Sequence, residues 1–288
     1  MADWINTIIQ GVMIGGLYAM FAVGLSLIFG IMKLVNIAHG DLIVLAAYVA
    51  LIVTQSLGLN PLLSLVLVVP IMALIGYLLQ RGLFNHTLGA DLMPPLLVSF
   101  GLSIILQNGF LLLFTADNKR LQAGDIEVAR IQVSDAINIG VLPLLQFVLA
   151  VLVIGGLQYL LYRTPIGRSF RAVSDDPRIS QLMGLNNKHV FGLAMALSMA
   201  IVALAGVLIA IRANFDPATG PTRLIFGFEA VIIGGLSSFW GTLAGGIILG
   251  VVQAIAAQFD PGLQILAGHL AFLAVLAIRP AGLFGRPA

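Results

Sequence analysis

The stretch RTPIGRSFRAVSDDPRISQLMGLNNKH, residues 163–189, is the longest polar interruption of an otherwise apolar chain that also carries dense positive charge. It holds five of the fourteen Lys and Arg residues: Arg163, Arg168, Arg171, Arg178 and Lys188. Short loops rich in Lys and Arg stay on the cytoplasmic side of a membrane. The 163–189 segment therefore sets the orientation of the helices on either side of it.

A short helix is predicted inside this segment. Asp176 and Pro177 are typical of a helix N-cap and first position, and Gly184 is typical of a helix stop. Three apolar residues fall at i, i+3 and i+4 and so share one face: Ile179, Leu182 and Met183. A helix of about two turns does not hold itself together in water. Two interpretations stay open, an amphipathic helix docked in a partner's groove or one resting on lipid or on its own bundle.

The composition indicates a polytopic membrane protein. Sixty per cent of the residues are hydrophobic and 9% are charged, against roughly 25% charged in soluble domains. The chain has no cysteine, which excludes disulfides, thiolate metal sites and a cysteine nucleophile. The net charge of +2 is spread along the chain and does not form the basic patch that is typical of nucleic-acid-binding proteins. No signal-peptide pattern precedes the first hydrophobic run, so we expect that run to be retained.

Long uncharged runs predict an all-α fold of about eight transmembrane helices, in a single transmembrane domain over residues 1–288. A break at Gly58, Asn60 and Pro61 divides one of these runs in two. The predicted spans are 4–32, a helix ending near 56, 61–80, 92–116, 136–162, 190–211, a helix ending at 259, and 261–278. Residues 115–138 carry mixed charge and are predicted to be an external loop, with weak strand-like alternation over 126–133.

In the C-terminal quarter, counting each hydrophobic run as one membrane crossing gives an unfavourable orientation. A single crossing over 230–259 would place Arg279 and Arg286 outside, against the preference of basic residues for the cytoplasm. Glycine pairs at 234–235 and 245–246 offer a solution. We expect a re-entrant half-helix near 226–238, followed by a longer helix that returns to the outer face. Broken backbone at membrane depth is tolerated only where protein or a water-filled cavity satisfies it.

Ionisable residues at membrane depth are functional by default, and this chain offers four: His39, Asp41, Glu229 and His269. Each of these residues could instead have a purely structural role. His39 would bond to a carbonyl in a helix break, Asp41 and Glu229 would sit near helix N-termini, and His269 would satisfy a packing partner. The neutral polar residues expected at similar depth are Asn36, Gln107, Asn108, Ser237 and Ser238. We select Asn36, His39, Glu229 and Ser237 as groups beside a substrate pathway.

Missing motifs exclude several functions. The chain has no GxxxxGK[ST] phosphate loop, so it is not expected to hydrolyse ATP. HExxH and GxSxG are absent, as are an arginine ladder and a TVGYG filter. We expect no catalytic residue, no metal site and no cofactor on this chain.

Four separated blocks identify the chain as similar to a known family. They are GLYAMFAVGLSLIFGIMKLVNIAHGDLIVLAAY (16–48), the RAVSDDPRISQLMGLN core of the 163–189 segment, EAVIIGGLSSFWGTLAGGIILG (229–250) and IRPAGLFG (278–285). Together they resemble the permease subunits of branched-chain amino acid ABC importers, most closely the smaller of the two permeases that such systems pair.

The resemblance implies a set of partners and a location. The partners would be a second permease, two cytoplasmic ATPases that bind ATP and Mg, and an extracytoplasmic solute-binding protein. The location would be a bacterial inner membrane, with the 163–189 segment and the C-terminus in the cytoplasm. The resemblance also implies that an ATPase groove receives eight residues of the segment: Arg168, Arg171, Asp175, Asp176, Arg178, Leu182, Met183 and Gly184.

Alternatives remain at this point. Permeases for urea and short amides belong to the same family, and nothing in the four blocks excludes them. A secondary transporter or channel would need no ATPase. A membrane-embedded enzyme would need a nucleophile or metal constellation, which the scattered His and Asp residues do not form.

Overall fold

The computed structural model describes residues 2–89, 91–134 and 137–285, and helices make up most of them. In chain order the helices are α1 (Ala2–Met32), α2 (His39–Leu57), α3 (Pro61–Gly82), α4 (Met93–Phe114), α5 (Val141–Arg163), α6 (Pro165–Asp175), α7 (Pro177–Leu182), α8 (Asn187–Arg212), α9 (Gly220–Gly234), α10 (Phe239–Phe259) and α11 (Leu263–Ile278). Within the described ranges, seven of them are long and apolar enough to cross a membrane: α1, α2, α3, α4, α5, α8 and α10. The predicted all-α polytopic membrane fold is confirmed. The last predicted span, α11, is apolar but has only 16 residues.

Local signals fix the break between α2 and α3. Gly58 ends α2 at a φ of 63°, a left-handed conformation that favours glycine. The side chain of Asn60 then caps α3 by accepting a hydrogen bond of 2.9 Å from the backbone N–H of Leu62, and Pro61 takes the first helical position. The predicted division of this uncharged run is confirmed.

The predicted half-helix corresponds to α9, with shifted boundaries. It begins at Gly220 rather than near residue 226, and it ends at Gly234. Its 15 residues extend about 22 Å, short of a hydrocarbon core of about 30 Å. A turn with positive φ at Gly235 (100°) and Ser237 (66°) leads into α10, which Ser238 caps. The side of the membrane from which α9 enters stays a prediction.

The only strands in the described residues lie at the end of the predicted external loop and just beyond it. β1 (Arg130–Ser134) pairs antiparallel with β2 (Ile137–Gly140), with Ile131 opposite Ile139. The expected strand over 126–133 was therefore placed too early, because residues 124–127 form a 3₁₀ turn. The expected span from residue 136 was also wrong at its start, since pairing in β2 delays α5 until Val141. Two residues of this loop, Asp135 and Ala136, lie outside the described residues.

The chain divides into two compact units. The first comprises residues 1–26, 122–154 and 225–288, and the second comprises residues 27–121 and 155–224. The prediction of one domain over 1–288 stays a prediction.

In the first unit, glycines let helices approach closely. The Cα of Gly246 on α10 faces the carbonyl of Gly15 on α1, and a Cβ at Gly246 would lie 2.5 Å from that oxygen. Gly250 meets the backbone of Gly11 in the same way. Small residues at such contacts are typical of membrane helix pairs. α11 packs along α10 within this unit.

In the second unit, α8 packs along α3 and against α2. Gly206 of α8 lies against the backbone of Ile43 in α2, so these axes are close. The buried ring of Tyr48 anchors the other side of α2. It stacks on Phe114 at 4.1 Å between ring centroids, and it also contacts Phe110 and Phe215.

Candidate functional site

The first half of the 163–189 segment is a helix fixed to the end of α5. Thr164 caps α6 by accepting a hydrogen bond of 3.1 Å from the backbone N–H of Gly167, and Pro165 begins the helix. Phe170 and Val173 bury the inner face of α6. Gly167 abuts the carbonyl oxygens at the end of α5 so closely that a side chain would collide with them. These contacts set the position of α6.

The predicted short helix is α7, and its predicted caps are confirmed. Asp176 Oδ1 accepts hydrogen bonds from the backbone N–H groups of Arg178 (2.8 Å) and Ile179 (3.0 Å). The bonds from Ile179 and Arg178 lower the pKa of Asp176. Gly184 has a φ of +87°, and the next N–H, of Leu185, bonds to the Ser180 carbonyl at 3.0 Å. The helix therefore begins and ends where the sequence indicates.

Two side-chain bonds attach α7 to the start of α8. The Ser180 hydroxyl donates to Asn187 Oδ1 at 2.9 Å, and Asn187 Nδ2 donates to the Pro177 carbonyl at 2.6 Å. Ser180 and Asn187 are both buried. Buried and fully bonded polar pairs hold a defined geometry. The tip of the segment is thus fixed to a membrane helix.

The outer face of α7 is apolar and open. Ile179, Leu182 and Met183 are 59%, 87% and 78% exposed. Arg168 and Arg178 are exposed near it, and the guanidinium of Arg171 lies 5.0 Å from the ring centroid of Tyr162. Asp175 is exposed at the end of α6. The segment offers an apolar face together with exposed charges of both signs, which suits an apolar protein groove with a charged rim. That an ATPase provides this groove stays a prediction.

The second polar group surrounds the start of α2. Asn36 Oδ1 accepts a hydrogen bond from the backbone N–H of Ala38 at 3.0 Å, which closes a turn before His39 begins the helix. Asn36 and His39 are fully buried. The Ser99 hydroxyl of α4 accepts the N–H of Ile37 at 3.1 Å. Asn36 therefore shapes the helix break, and its role beside a pathway stays a prediction, as does that of His39.

Asp41 lies in the first turn of α2, as predicted, and is 1% exposed. Its Oδ2 accepts a hydrogen bond from Ser103, which in turn accepts one of 3.0 Å from Gln107 Nε2. Asp41 Oδ1 faces Gly220, the first residue of α9, where a Cβ would collide with it. The N-terminal ends of α2 and α9 thus meet at this carboxyl group.

In the first unit, Glu229 forms a pair with His269. Its Oε1 hydrogen-bonds to Nδ1 of His269, and the side chains of Glu229 and His269 are 5% and 38% exposed. The His269 ring also stacks near Phe226, with centroids 6.4 Å apart. The expected packing partner of His269 is therefore Glu229. Glu229 lies in the interior of α9, so its expected place near a helix N-terminus was wrong because α9 begins earlier than predicted.

Ser237 occupies the turn between α9 and α10 and is exposed. Its hydroxyl donates to the adjacent carbonyl of Leu236 at 2.5 Å. Within the first unit it is one of two residues selected for the pathway, the other being Glu229. Asn36 and His39 lie in the second unit. The pathway role of all four residues stays a prediction.

Sequence reasoning missed the polar stripe of α4. Ser99, Ser103 and Gln107 recur every four residues and so lie on one face of the helix. That spacing was visible in the sequence. It indicates a helix face that must meet polar groups on a neighbour, which the structure shows to be the start of α2.

Comparison with known proteins places this architecture in a family. Residues 7–277 match the family described as branched-chain amino acid transport system / permease component. BraD of Pseudomonas aeruginosa, a high-affinity branched-chain amino acid transport system permease protein, is 29% identical over 302 residues, covering 99% of this chain and 96% of BraD. LivH of Escherichia coli K12, with the same description, is 25% identical over 297 residues, with 99% and 96% covered.

A third relative is similar over nearly its whole length. The probable branched-chain amino acid transport permease protein LivH of Methanocaldococcus jannaschii is 28% identical over 290 residues, covering 96% of this chain and 92% of that protein. No solved structure matches the chain. The family match spans nearly the whole sequence and confirms the resemblance drawn from the four blocks. The chain therefore belongs to the family of branched-chain amino acid transport system permease components.

Proposed function

We propose that this chain is a translocation subunit of an ABC importer that moves leucine, isoleucine, valine or a similar amino acid into the cytoplasm. The full-length likeness to permeases whose names state branched-chain amino acid transport supports the substrate class. The chain carries no phosphate loop of its own, so ATP binding and hydrolysis are assigned to partner subunits.

The observation that carries the proposal is the exposed apolar tip of α7. Leu182 and Met183 leave most of their surface open on a helix too short to be stable alone. The caps of α7 and its bonds to Asn187 hold that tip in place without covering it. A preformed apolar helix face is a recognised mode of docking into a protein groove. The eight residues named for this contact, from Arg168 to Gly184, form the proposed ATPase-facing surface.

The proposed assembly contains a second permease, two cytoplasmic ATPases and an extracytoplasmic solute-binding protein, in a bacterial inner membrane. The basic 163–189 segment and the C-terminus lie in the cytoplasm, following the bias of Lys and Arg. Closure of the ATPases pulls on this segment and rocks the attached helices between outward-open and inward-open states. Asn36, His39, Glu229 and Ser237 are proposed to lie beside the route of the substrate.

Copurification tests the docking. The chain is expressed with its two proposed partner ATPases, as wild type and as Leu182→Asp/Met183→Asp. Wild type is expected to retain the ATPases through purification, and the double variant is expected to lose them, since two charges would have to be buried in an apolar contact. Val128→Asp is the matched control, because Val128 is 75% exposed in the 115–138 loop and is not one of the eight residues of the proposed surface. Retention of the ATPases by the double variant would refute the docking surface.

Transport by the reconstituted complex tests the energy source and the solute. ATP-dependent uptake of radiolabelled leucine is expected, with competition by isoleucine and valine. Uptake by the purified chain alone without ATP would favour a secondary transporter or channel. Competition by urea or acetamide, without competition by valine, would assign the chain to the amide-carrying relatives.

A further inference from the structure

A cavity of about 210 Å³ lies beside the 163–189 segment, inside the second unit. Its wall combines the end of α1, the loop before α4, the first residues of α4, the end of α6 and the start of α7 and α8. Its volume is many times the roughly 10–15 Å³ that a single water needs, so the cavity has room for a small metabolite. Neither Asp41 nor Glu229 is among the residues that line it.

The lining of this cavity has two chemical parts. Lys33, Asp91 and Asp175 contribute one positive and two negative charges at its exposed margin. Met32, Leu92 and Phe191 are among the apolar side chains that form its walls. A ligand that fits carries both a carboxylate and an ammonium group next to an apolar body. Ligand sites typically join an apolar wall to a few fixed polar groups in this way.

The charges at the margin are available to a ligand. Lys33 follows the last turn of α1 with a φ of +52°, and it makes no ion pair with any residue in the described ranges. Asp91 uses Oδ1 to accept the backbone N–H of Met93 at 3.0 Å, which leaves Oδ2 uncommitted among the described contacts. One cation and one carboxylate oxygen are therefore free to bind opposite charges.

We propose that this cavity is a cytoplasmic binding site for a zwitterionic amino acid with an apolar side chain, through which the imported product restrains further uptake. Lys33 binds the α-carboxylate, Asp91 binds the α-ammonium group with Asp175 beside it, and the apolar wall receives the side chain. The class of ligand and the side of the membrane rest on the proposed function.

The position of the cavity links ligand binding to the two helices of the proposed ATPase-facing surface. Its wall includes Val173 and Pro177, from the two helices that carry the ATPase-facing surface. Nearby, the Ser174 hydroxyl donates to the carbonyl of Gly30 at 2.6 Å, which joins α6 to the last turn of α1. Movement of the segment relative to α1 and α4 would open the wall. A ligand that binds only the intact cavity therefore stabilises one state of the transport cycle.

Binding to the purified full-length chain in lipid nanodiscs tests the site without any ATPase. Saturable binding of leucine is expected, and it is expected to weaken by roughly tenfold or more in Lys33→Gln and in Asp91→Asn. Asp91→Asn keeps an oxygen for the Met93 N–H, so α4 retains its cap. Arg81→Gln, which removes an exposed positive charge outside the cavity, is the matched control and is expected to bind as wild type.

Analogues on the wild-type chain give an answer that does not depend on variant folding. Leucinamide lacks the carboxylate and 4-methylpentanoate lacks the ammonium group, and both are expected to bind at least about tenfold more weakly than leucine. Equal binding of leucine and both analogues would overturn the zwitterion site. Equal binding of leucine by wild type, Lys33→Gln and Asp91→Asn would overturn its placement in this cavity.

Uptake by the reconstituted complex tests the regulation. Leucine placed on the ATP side is expected to slow uptake by wild type, and Lys33→Gln and Asp91→Asn are expected to escape this inhibition. Uptake measured with no leucine on the ATP side reports the proposed transport function by itself. Normal uptake that ATP-side leucine inhibits equally in wild type and both variants would overturn the inference and leave the transport function standing.

Discussion

Ser103 on α4 and Asp41 on α2 are joined by a hydrogen bond of 2.5 Å between two buried side chains 62 residues apart in sequence. Asp41 is also close to Gly220, the first residue of α9, which belongs to the same unit, so α2, α4 and the start of α9 meet at one carboxyl group. This bond gives the buried start of α2 a hydrogen-bond partner within the protein.

We expect Ser103→Ala to destabilise the chain by about 1–2 kcal/mol, because Asp41 loses a buried donor. The measurement is the thermal unfolding of the purified chain in detergent. Ser26→Ala is the matched control, since the Ser26 hydroxyl is buried and has no hydrogen-bond partner in the described part of the chain. Equal melting temperatures for the two variants would contradict the assigned role of the bond.

Gly246→Ala is expected to separate α10 from α1 and to cost about 1–3 kcal/mol of stability, since its Cβ would press on the Gly15 carbonyl and the Ala19 N–H. Gly155→Ala is the comparison, because nothing lies within 4 Å of a Cβ at that position. Thermal unfolding is again the measurement. A stable Gly246→Ala protein would show that the α1–α10 contact tolerates a methyl group.

His269→Ala is expected to cost about 3 kcal/mol, because Glu229 is left buried without a partner. Adding Glu229→Gln to His269→Ala should recover part of that loss, since the carboxyl charge is then gone. A double-mutant cycle of unfolding free energies measures the coupling. If the changes in unfolding free energy of the two single variants simply add, Glu229 and His269 are not energetically coupled.

Asp176→Ala is expected to loosen α7, and Asp176→Asn is expected to preserve it, because asparagine keeps an acceptor for the two backbone N–H groups. The pKa of Asp176 is lowered by these bonds. The contribution of the cap is therefore complete above the ordinary value of 3.8 and is lost as the pH falls through the lower pKa of the folded chain. Amide NMR of residues 177–184 follows the helix across this range. Asp176→Asn should lack the acid transition.

A single cysteine introduced by Gln181→Cys is expected to react with a membrane-impermeant maleimide only from the cytoplasm. The chain has no other cysteine, and Gln181 is exposed on α7. Asp125→Cys, in the 115–138 loop, is expected to react only from outside. Labelling of Gln181→Cys from outside intact cells would reverse the proposed orientation and remove the basis for ATPase docking.

Local chemistry made parts of this fold predictable. The caps at Asn60 and Asp176 and the glycine stops at Gly58 and Gly184 are short-range signals, and each lies where the sequence places it. Hydropathy located the long spans, because lipid requires nearly continuous apolar sequence. The start of α5 was misplaced because strand pairing in the preceding loop is a contact that hydropathy does not report.

Pairings between distant residues were not predictable in the same way. Nothing near Glu229 in sequence indicates His269, and nothing near Asp41 indicates Gly220. The start of α9 at Gly220 also depends on tertiary context, since GPTR at 220–223 resembles a loop by composition. The Ser99–Ser103–Gln107 stripe was the exception, because its spacing alone indicates a polar neighbour.

The hydrogen bonds between Ser180, Asn187 and Pro177 hold α7 in a fixed position on the first turn of α8. Side chains from both helices cross the turn between them, so we expect α7 and the start of α8 to move together when a partner contacts Leu182. Because α8 packs along α3 and against α2, we expect a displacement of α7 to reach the helix that begins at His39.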